Sequence, residues 1–267
     1  MKKTVVRVVA LDLIFLLLLI ASGSFSGALS EIIYIGAYLV PIAAYFWIAR
    51  REPRMKLSLG IGREDGLLCL PLTAPTVALT VGLSALFAFL LSLLGASGEG
   101  VLTGSLAELL ILHALLPAVL EEALFRYVPL SLIAPHSKKS AVLISALLFA
   151  FAHCSLAQIP YAFVAGIIFA AVDLACGSVL PSVLLHLFNN VLSVLWLWEE
   201  SAETFRLPFA LAAAALAVIS VLLVVIFRRR YAKWTSILFD KADKISISHE
   251  LWIFVFVCLV LAVGSLF

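Results

Sequence analysis

Three short constellations, each inside an otherwise apolar stretch, carry the chemistry this sequence can do. Glu121 and Glu122 are followed by Arg126, Phe149 by His153, and His186 by Asn190. A carboxylate beside an imidazole in a medium of low dielectric can take a proton from water and make a nucleophile able to attack an amide carbonyl. The resulting oxyanion needs donors, which a protonated imidazole and an Asn amide supply. Residues four apart share a helix face, so Glu122 and Arg126 are expected to form an ion pair. Glu121, rotated by ~100° from Glu122, is the carboxylate left free. His186 and Asn190 share a face by the same spacing, and His153 supplies a second imidazole from another helix. The expected roles are Glu121 as general base, His153 orienting or sharing the water, and His186 with Asn190 clamping the oxyanion. Glu122 and Arg126 would hold the helix and tune the field of the site.

A metal reading uses the same side chains. Glu121, His153 and His186 form a two-His, one-carboxylate set able to hold Zn²⁺ with one position open for water. Against it, His186 is better placed with Asn190 as a donor pair, and no HExxH spacing puts two ligands on one helix. The preferred reading therefore requires no cofactor, with zinc kept as the alternative. Each residue also has a structural reading: Glu121 as a packing carboxylate held by Arg126 or Tyr127, His153 and His186 as satisfied core histidines, and Asn190 as a bridge between helices. Asn189 reads as such a bridge and Phe149 as a packing residue.

The elements that must position these residues are membrane spans. Of 267 residues, 64% are hydrophobic and 13% charged, about half the charged fraction of a soluble domain, and the mean hydropathy is +1.18. Those figures exclude a soluble globular enzyme and a disordered chain. A net charge of +2 leaves no basic surface for nucleic acid. Apolar runs bounded by charges, Gly and Pro fall at about 8–22, 32–49, 67–94, 106–133, 140–154, 159–176, 179–198, 207–227 and 251–267, which predicts an all-α polytopic fold of nine spans. The whole chain, 1–267, reads as one membrane-embedded domain. Residues 1–7, 50–66 (Arg50, Arg51, Arg54, Lys56, Arg63), 134–140 (Lys138, Lys139) and 228–250 (Arg228, Arg229, Arg230, Lys233) hold most of the Lys and Arg. The alternate loops hold Glu31, Glu99, Glu199, Glu200 and Glu203. Basic loops stay in the cytoplasm, so the N-terminus is expected there, in the plasma membrane if the host is prokaryotic. The first span is read as retained rather than cleaved as a signal peptide. The segment 228–250 is either a short helix on the cytoplasmic surface or a solvated loop. Cys69, Cys154, Cys176 and Cys258 show no pairing pattern and read as small hydrophobes.

Ionisable groups at mid-bilayer cost ~2.5–3.5 kcal/mol each on insertion scales, so their clustering in three spans calls for a partner or a function. Counted at ~1.5 Å per residue from the cytoplasmic ends, Glu121 and Asn190 lie ~16 Å deep, His153 ~20 Å and His186 ~10 Å, which places one polar cluster nearer the cytoplasm. The expected cavity lies between the fourth and seventh spans and opens toward the cytoplasm and sideways to lipid. Asp12, His113 and Asp173 are expected to make interhelical contacts or reach the interface, with His113 or Asp173 able to line a substrate path. Glu108 and Arg206 sit near span ends, where snorkelling suffices.

At these residues the sequence resembles the CAAX protease and bacteriocin-processing family of intramembrane peptidases, which includes type II CAAX prenyl endopeptidases and the Abi proteins. The likeness rests on EExxxR at Glu121, Glu122 and Arg126, FxxxH at Phe149 and His153, and HxxxN at His186 and Asn190, in the family's order over roughly residues 106–195. Tyr127 departs from it, since many members carry a small residue after the Arg. The resemblance implies an intramembrane endopeptidase: in eukaryotic relatives it removes the last three residues after a prenylated cysteine, and in prokaryotic ones it is linked to peptide maturation, bacteriocin immunity or membrane-protein processing. The chain's own end, Val263-Gly-Ser-Leu-Phe267, is not expected to be such a substrate. The implied partners are membrane lipid and a peptide or protein substrate, with or without a lipid anchor. Two other classes remain open on the residues alone: a proton- or ion-coupled carrier using the charges as a relay, and an inert immunity or scaffolding protein.

Overall fold

The computed structural model describes residues 1–50, 52–60, 62–93, 95, 102–198, 203–239 and 248–264. Helices stand at every expected span: α1 (Lys2–Ser22), α2 (Ala28–Ala49), α3 (Arg63–Ser92), α4 (106–133), α5 (Lys138–Ala152), α6 (Ile159–Cys176), α7 (Leu180–Leu197), α8 (Glu203–Ile226) and α10 (His249–Gly264), with a shorter α9 (Arg228–Phe239) before the last. Among the described residues there is no strand, only the isolated bridges Ser58 to Ser178 and Leu102 to Trp198. Helices α1, α2, α6, α7 and the Pro71–Ser92 part of α3 are long and apolar enough to cross a membrane. The protein is an all-α polytopic membrane protein. Arg51, Glu99, Glu199, Glu200 and residues 265–267 lie outside the described residues.

Within the alternative posed for 228–250, Arg228–Phe239 is a helix, and its Tyr231 is buried beside Cys69 of α3 and Val172 of α6. Burial pushes the Tyr231 phenol up to about 12.

The helix that carries both carboxylates is not a regular α-helix. Its segments alternate: α over Leu106–Leu109, π over Leu110–Leu115, α over Leu116–Glu122, π over Ala123–Tyr127 and α over Val128–Ile133. Each π turn stands just before a proline, Pro117 and Pro129. A proline ring has no N–H and collides with the carbonyl four residues back, and widening the preceding turn relieves that conflict. Glu121 and Glu122 therefore occupy the junction where a regular turn gives way to a wide one.

Helix α5 is short. It starts at Ser137, whose hydroxyl caps the Ser140 N–H at 3.0 Å, and ends at His153, after which Cys154 takes φ +47°. A left-handed non-glycine residue is uncommon, and here it stops α5 short of the full span that α6 makes beside it. The two helices touch closely, since a Cβ on Gly166 would stand 2.9 Å from Ala146 Cα. Glycine with alanine at such a crossing lets backbones approach where lipid supplies no hydrophobic drive.

The other end of the bundle is strapped shut. Arg7 pairs with Glu52, the Met55 N–H donates to Ser131 O at 2.8 Å, the Ser58 N–H donates to Gly177 O at 2.9 Å, and Ser58 O accepts from the Val179 N–H at 3.2 Å. The segment after α2 thus runs across the ends of α4, α6 and α7. Leu130, Leu132 and Ile133 are fully buried beneath it.

Candidate active site

The structure gathers the expected residues around a cavity of about 730 Å³ lined by Glu121, Phe149, His153, His186, Asn189 and Asn190 among others. His186 is the pivot. Its Nδ1 lies 2.8 Å from Glu122 Oε1 and its Nε2 lies 3.9 Å from Glu121 Oε2. Neighbouring carboxylates on α4 therefore straddle one ring, each facing one nitrogen. A carboxylate that accepts from Nδ1–H fixes the tautomer and turns Nε2 toward the cavity.

Glu122 also faces Arg126, with Oε2 3.4 Å from Nε, and both side chains are wholly buried. The expected ion pair is present. Arg126 is held further by the Phe125 carbonyl at 3.1 Å, the Ser145 hydroxyl at 3.5 Å and the face of Phe149, 4.3 Å from Cζ to the ring centroid. Phe149 packs edge-on against both imidazoles, with centroids 4.9 Å from His153 and 5.6 Å from His186, which accords with its reading as a packing residue.

The structure adds to three expectations. His186, which shares a helix face with Asn190, has its Nδ1 on Glu122 at 2.8 Å, and both residues line the cavity. His153, expected to orient or share the water, gives its Nδ1–H to the Phe149 carbonyl at 2.8 Å and lines the cavity, while His186 Nε2 lies 3.9 Å from Glu121. Among the described residues no group of three His, Cys, Asp or Glu side chains is placed to hold a metal ion, so Glu121, His153 and His186 do not make up the alternative zinc set in this arrangement. The residues present do not fit that group.

Glu121 is not held by Arg126 or Tyr127. Its Oε1 accepts from the Tyr38 hydroxyl at 3.5 Å, and Tyr38 in turn stands 3.5 Å from the Tyr34 hydroxyl. Thr80 of α3 donates to Asn189 Oδ1 at 3.0 Å, and Asn189 Nδ2 donates to Asn190 Oδ1 at 3.4 Å. Asn189 is thus the bridge expected of it, and it leaves the Asn190 amide nitrogen free of that contact. Tyr38, Tyr34 and Thr80 were missed by the sequence reading. The tyrosines did leave a signal, two hydroxyls four residues apart inside an apolar span; a lone threonine leaves none.

His113 lines the cavity and is exposed, whereas Asp173 does not line it. Asp173 is buried, and its Oδ1 accepts from the Ser182 N–H at 3.0 Å at the start of α7, an interhelical contact of the expected kind. Asp12 is buried in α1, and its Oδ1 has no hydrogen-bond partner among the described residues. Tyr127 stacks edge-on with Tyr45 of α2 at 5.6 Å and takes no part in the cavity lining, so the departure from the family pattern falls outside the pocket. The side chain of Arg206 lies outside the described residues.

Acid, imidazole and amide groups from separate helices thus line one cavity. Residues 103–192, about a third of the chain, match the family described as type II CAAX prenyl endopeptidase, Rce1-like. That family is one of proteases. No curated protein and no solved structure matches the chain.

Proposed function

We propose that the protein is an intramembrane endopeptidase that hydrolyses a peptide bond of a membrane-associated substrate with water activated by Glu121 and His186. The observation that supports this most directly is the imidazole seated between two carboxylates at the cavity wall, 2.8 Å from Glu122 and 3.9 Å from Glu121. Glu122 is neutralised by Arg126, accepts from Nδ1–H and holds the ring. Glu121, tied to Tyr38, is the carboxylate that meets the cavity and takes the proton from water. Nε2 of His186 stands beside it to orient the same water. The Asn190 amide nitrogen and His153, the latter as an imidazolium that keeps Nδ1–H on a backbone carbonyl and donates through Nε2–H, line the same space and face the tetrahedral oxyanion. Burial excludes bulk water and strengthens each of these interactions. No step requires a metal.

The test uses purified protein in detergent with a fluorogenic prenylated CAAX peptide and its unprenylated counterpart. Wild type is compared with Glu121→Ala, His186→Ala and His153→Ala. Loss of at least a hundredfold in the first two, and a smaller loss in the third, is the expected result. Full cleavage by all three variants would overturn the assignment, and cleavage of both peptides alike would remove prenylation from the substrate description.

A further inference from the structure

We infer that the catalytic cavity opens on the extracytoplasmic face, so that the peptide it receives is delivered from outside the cell rather than as a cytosolic tail. This rests on the peptidase reading and adds a side and a substrate class to it. The expected opening toward the cytoplasm does not match the arrangement of the helices. Most of the lining residues come from the first halves of α2 (Glu31, Tyr34), α4 (Leu112, His113) and α6 (Tyr161, Ala162) and from the second half of α7 as far as Leu197, with Glu121, Phe169 and His186 just past the helix midpoints. Those halves lie at one end of the bundle, the end where the Leu102 N–H meets Leu197 O at 2.9 Å.

The opposite end is closed. Between the site and that end stand Arg126, Ser131, Asp173 and Ser182, all 0% exposed, and across it runs the strap from Glu52 to Ser58. Early termination of α5 leaves the open end without one wall, which is why the cavity widens there and includes Gln158 in its lining.

Charge then assigns the two ends to the two sides of the membrane. By sequence, sixteen of the eighteen Lys and Arg residues fall in residues 1–7 and in the stretches 50–66, 138–139 and 228–250, and the remaining two are the buried Arg126 and Arg206 near the start of α8; the described parts of those stretches lie at the strapped end. Basic loops remain cytoplasmic. The strapped end is therefore the inner one and the cavity faces out.

The lining also bears on substrate. Among the described residues it includes the carboxylates of Glu31 and Glu121. A neutral or basic stretch of peptide would meet complementary charge at these two carboxylates. The substrate class is thus an extended, neutral to basic segment of a protein held at the outer membrane surface.

The experiment places single new cysteines in the full chain, Ser193→Cys and Ile35→Cys in the cavity and Leu59→Cys at the strapped end, in bacterial membranes prepared as right-side-out and inverted vesicles. A membrane-impermeant maleimide is the probe, read above the labelling of the unsubstituted chain. At least tenfold stronger labelling of the cavity positions in right-side-out vesicles, with the reverse for Leu59→Cys, is expected. Cavity labelling confined to inverted vesicles, or absent from both, overturns the inference. In parallel, impermeant quenched peptides with Lys or Glu flanks and a blocked C-terminus are given to both vesicle types and to solubilised protein. Preferential cleavage of the Lys-flanked peptide in right-side-out vesicles supports the substrate class, and cleavage only in inverted vesicles overturns it. If the labelling is as expected but solubilised protein cleaves neither peptide, the peptidase reading fails, and the substrate class with it, while the direction of access stands.

Discussion

Replacing Glu122 by Gln removes one negative charge and keeps the shape of the side chain. Arg126 then becomes a guanidinium with 0% exposure whose other partners are one carbonyl at 3.1 Å, one hydroxyl at 3.5 Å and the Phe149 ring. Its Nη2 has no hydrogen-bond partner among the described residues, and the neighbouring buried carboxyl of Asp173 is engaged with the Ser182 N–H. Removing one member of a buried pair costs about 3–5 kcal/mol. The low end applies here, because the Gln oxygen still accepts and the ring attraction of roughly 2 kcal/mol persists. At about 2–4 °C per kcal/mol for a chain of this size, Glu122→Gln lowers the melting temperature in detergent by about 6–12 °C. Activity falls as well, by about tenfold in kcat/KM, since a charge-assisted hydrogen bond to His186 Nδ1 becomes a neutral one. The double variant Glu122→Gln with Arg126→Met removes both charges and recovers most of the melting temperature, but not the activity. Thermal unfolding followed by size-exclusion fluorescence, with the peptide assay on the same samples, reads both quantities. A single variant that melts within about 2 °C of wild type and keeps full activity, or a double variant no more stable than the single, would refute the reasoning.

Three further outcomes follow from the same geometry. Tyr38→Phe deletes only the hydroxyl that reaches Glu121 at 3.5 Å; a long hydrogen bond of this kind is worth about 1 kcal/mol, so kcat/KM falls about fivefold with no change in melting temperature, and an unchanged rate would remove Tyr38 from the site. Gly166→Ala forces a Cβ to 2.9 Å from Ala146 Cα and destabilises by about 1–3 kcal/mol, seen as a lower melting temperature, while Gly36→Ala, where a Cβ meets nothing within 4 Å, leaves it unchanged. Treatment with a zinc chelator leaves peptide cleavage intact, because Glu121, His153 and His186 do not converge on one point; loss of activity restored by added Zn²⁺ would show that the rings rearrange around a metal.

The sequence determined those features that depend on neighbours along one helix. Apolar run length placed the spans, the four-residue spacing paired Glu122 with Arg126, and the three polar constellations marked which helices would meet. The sequence also carried the charge asymmetry that orients the bundle. Features that depend on contact between helices were not legible in it. Helical spacing assigned Glu121 and Glu122 to different faces, and the fold seated one imidazole between them, because a ring with a nitrogen on either edge can reach both. Spacing likewise put His186 and Asn190 on one face without showing that Glu122 holds Nδ1 of that ring, and it named His153 without showing that the Phe149 carbonyl holds it. The direction of the cavity was hidden for a related reason: it follows from where α5 stops, at a left-handed Cys154, and from a strap that hydrogen-bonds to the ends of three other helices. Periodicity and charge act locally along the chain, whereas rotation, depth and closure arise only when apolar surfaces from distant segments pack against one another.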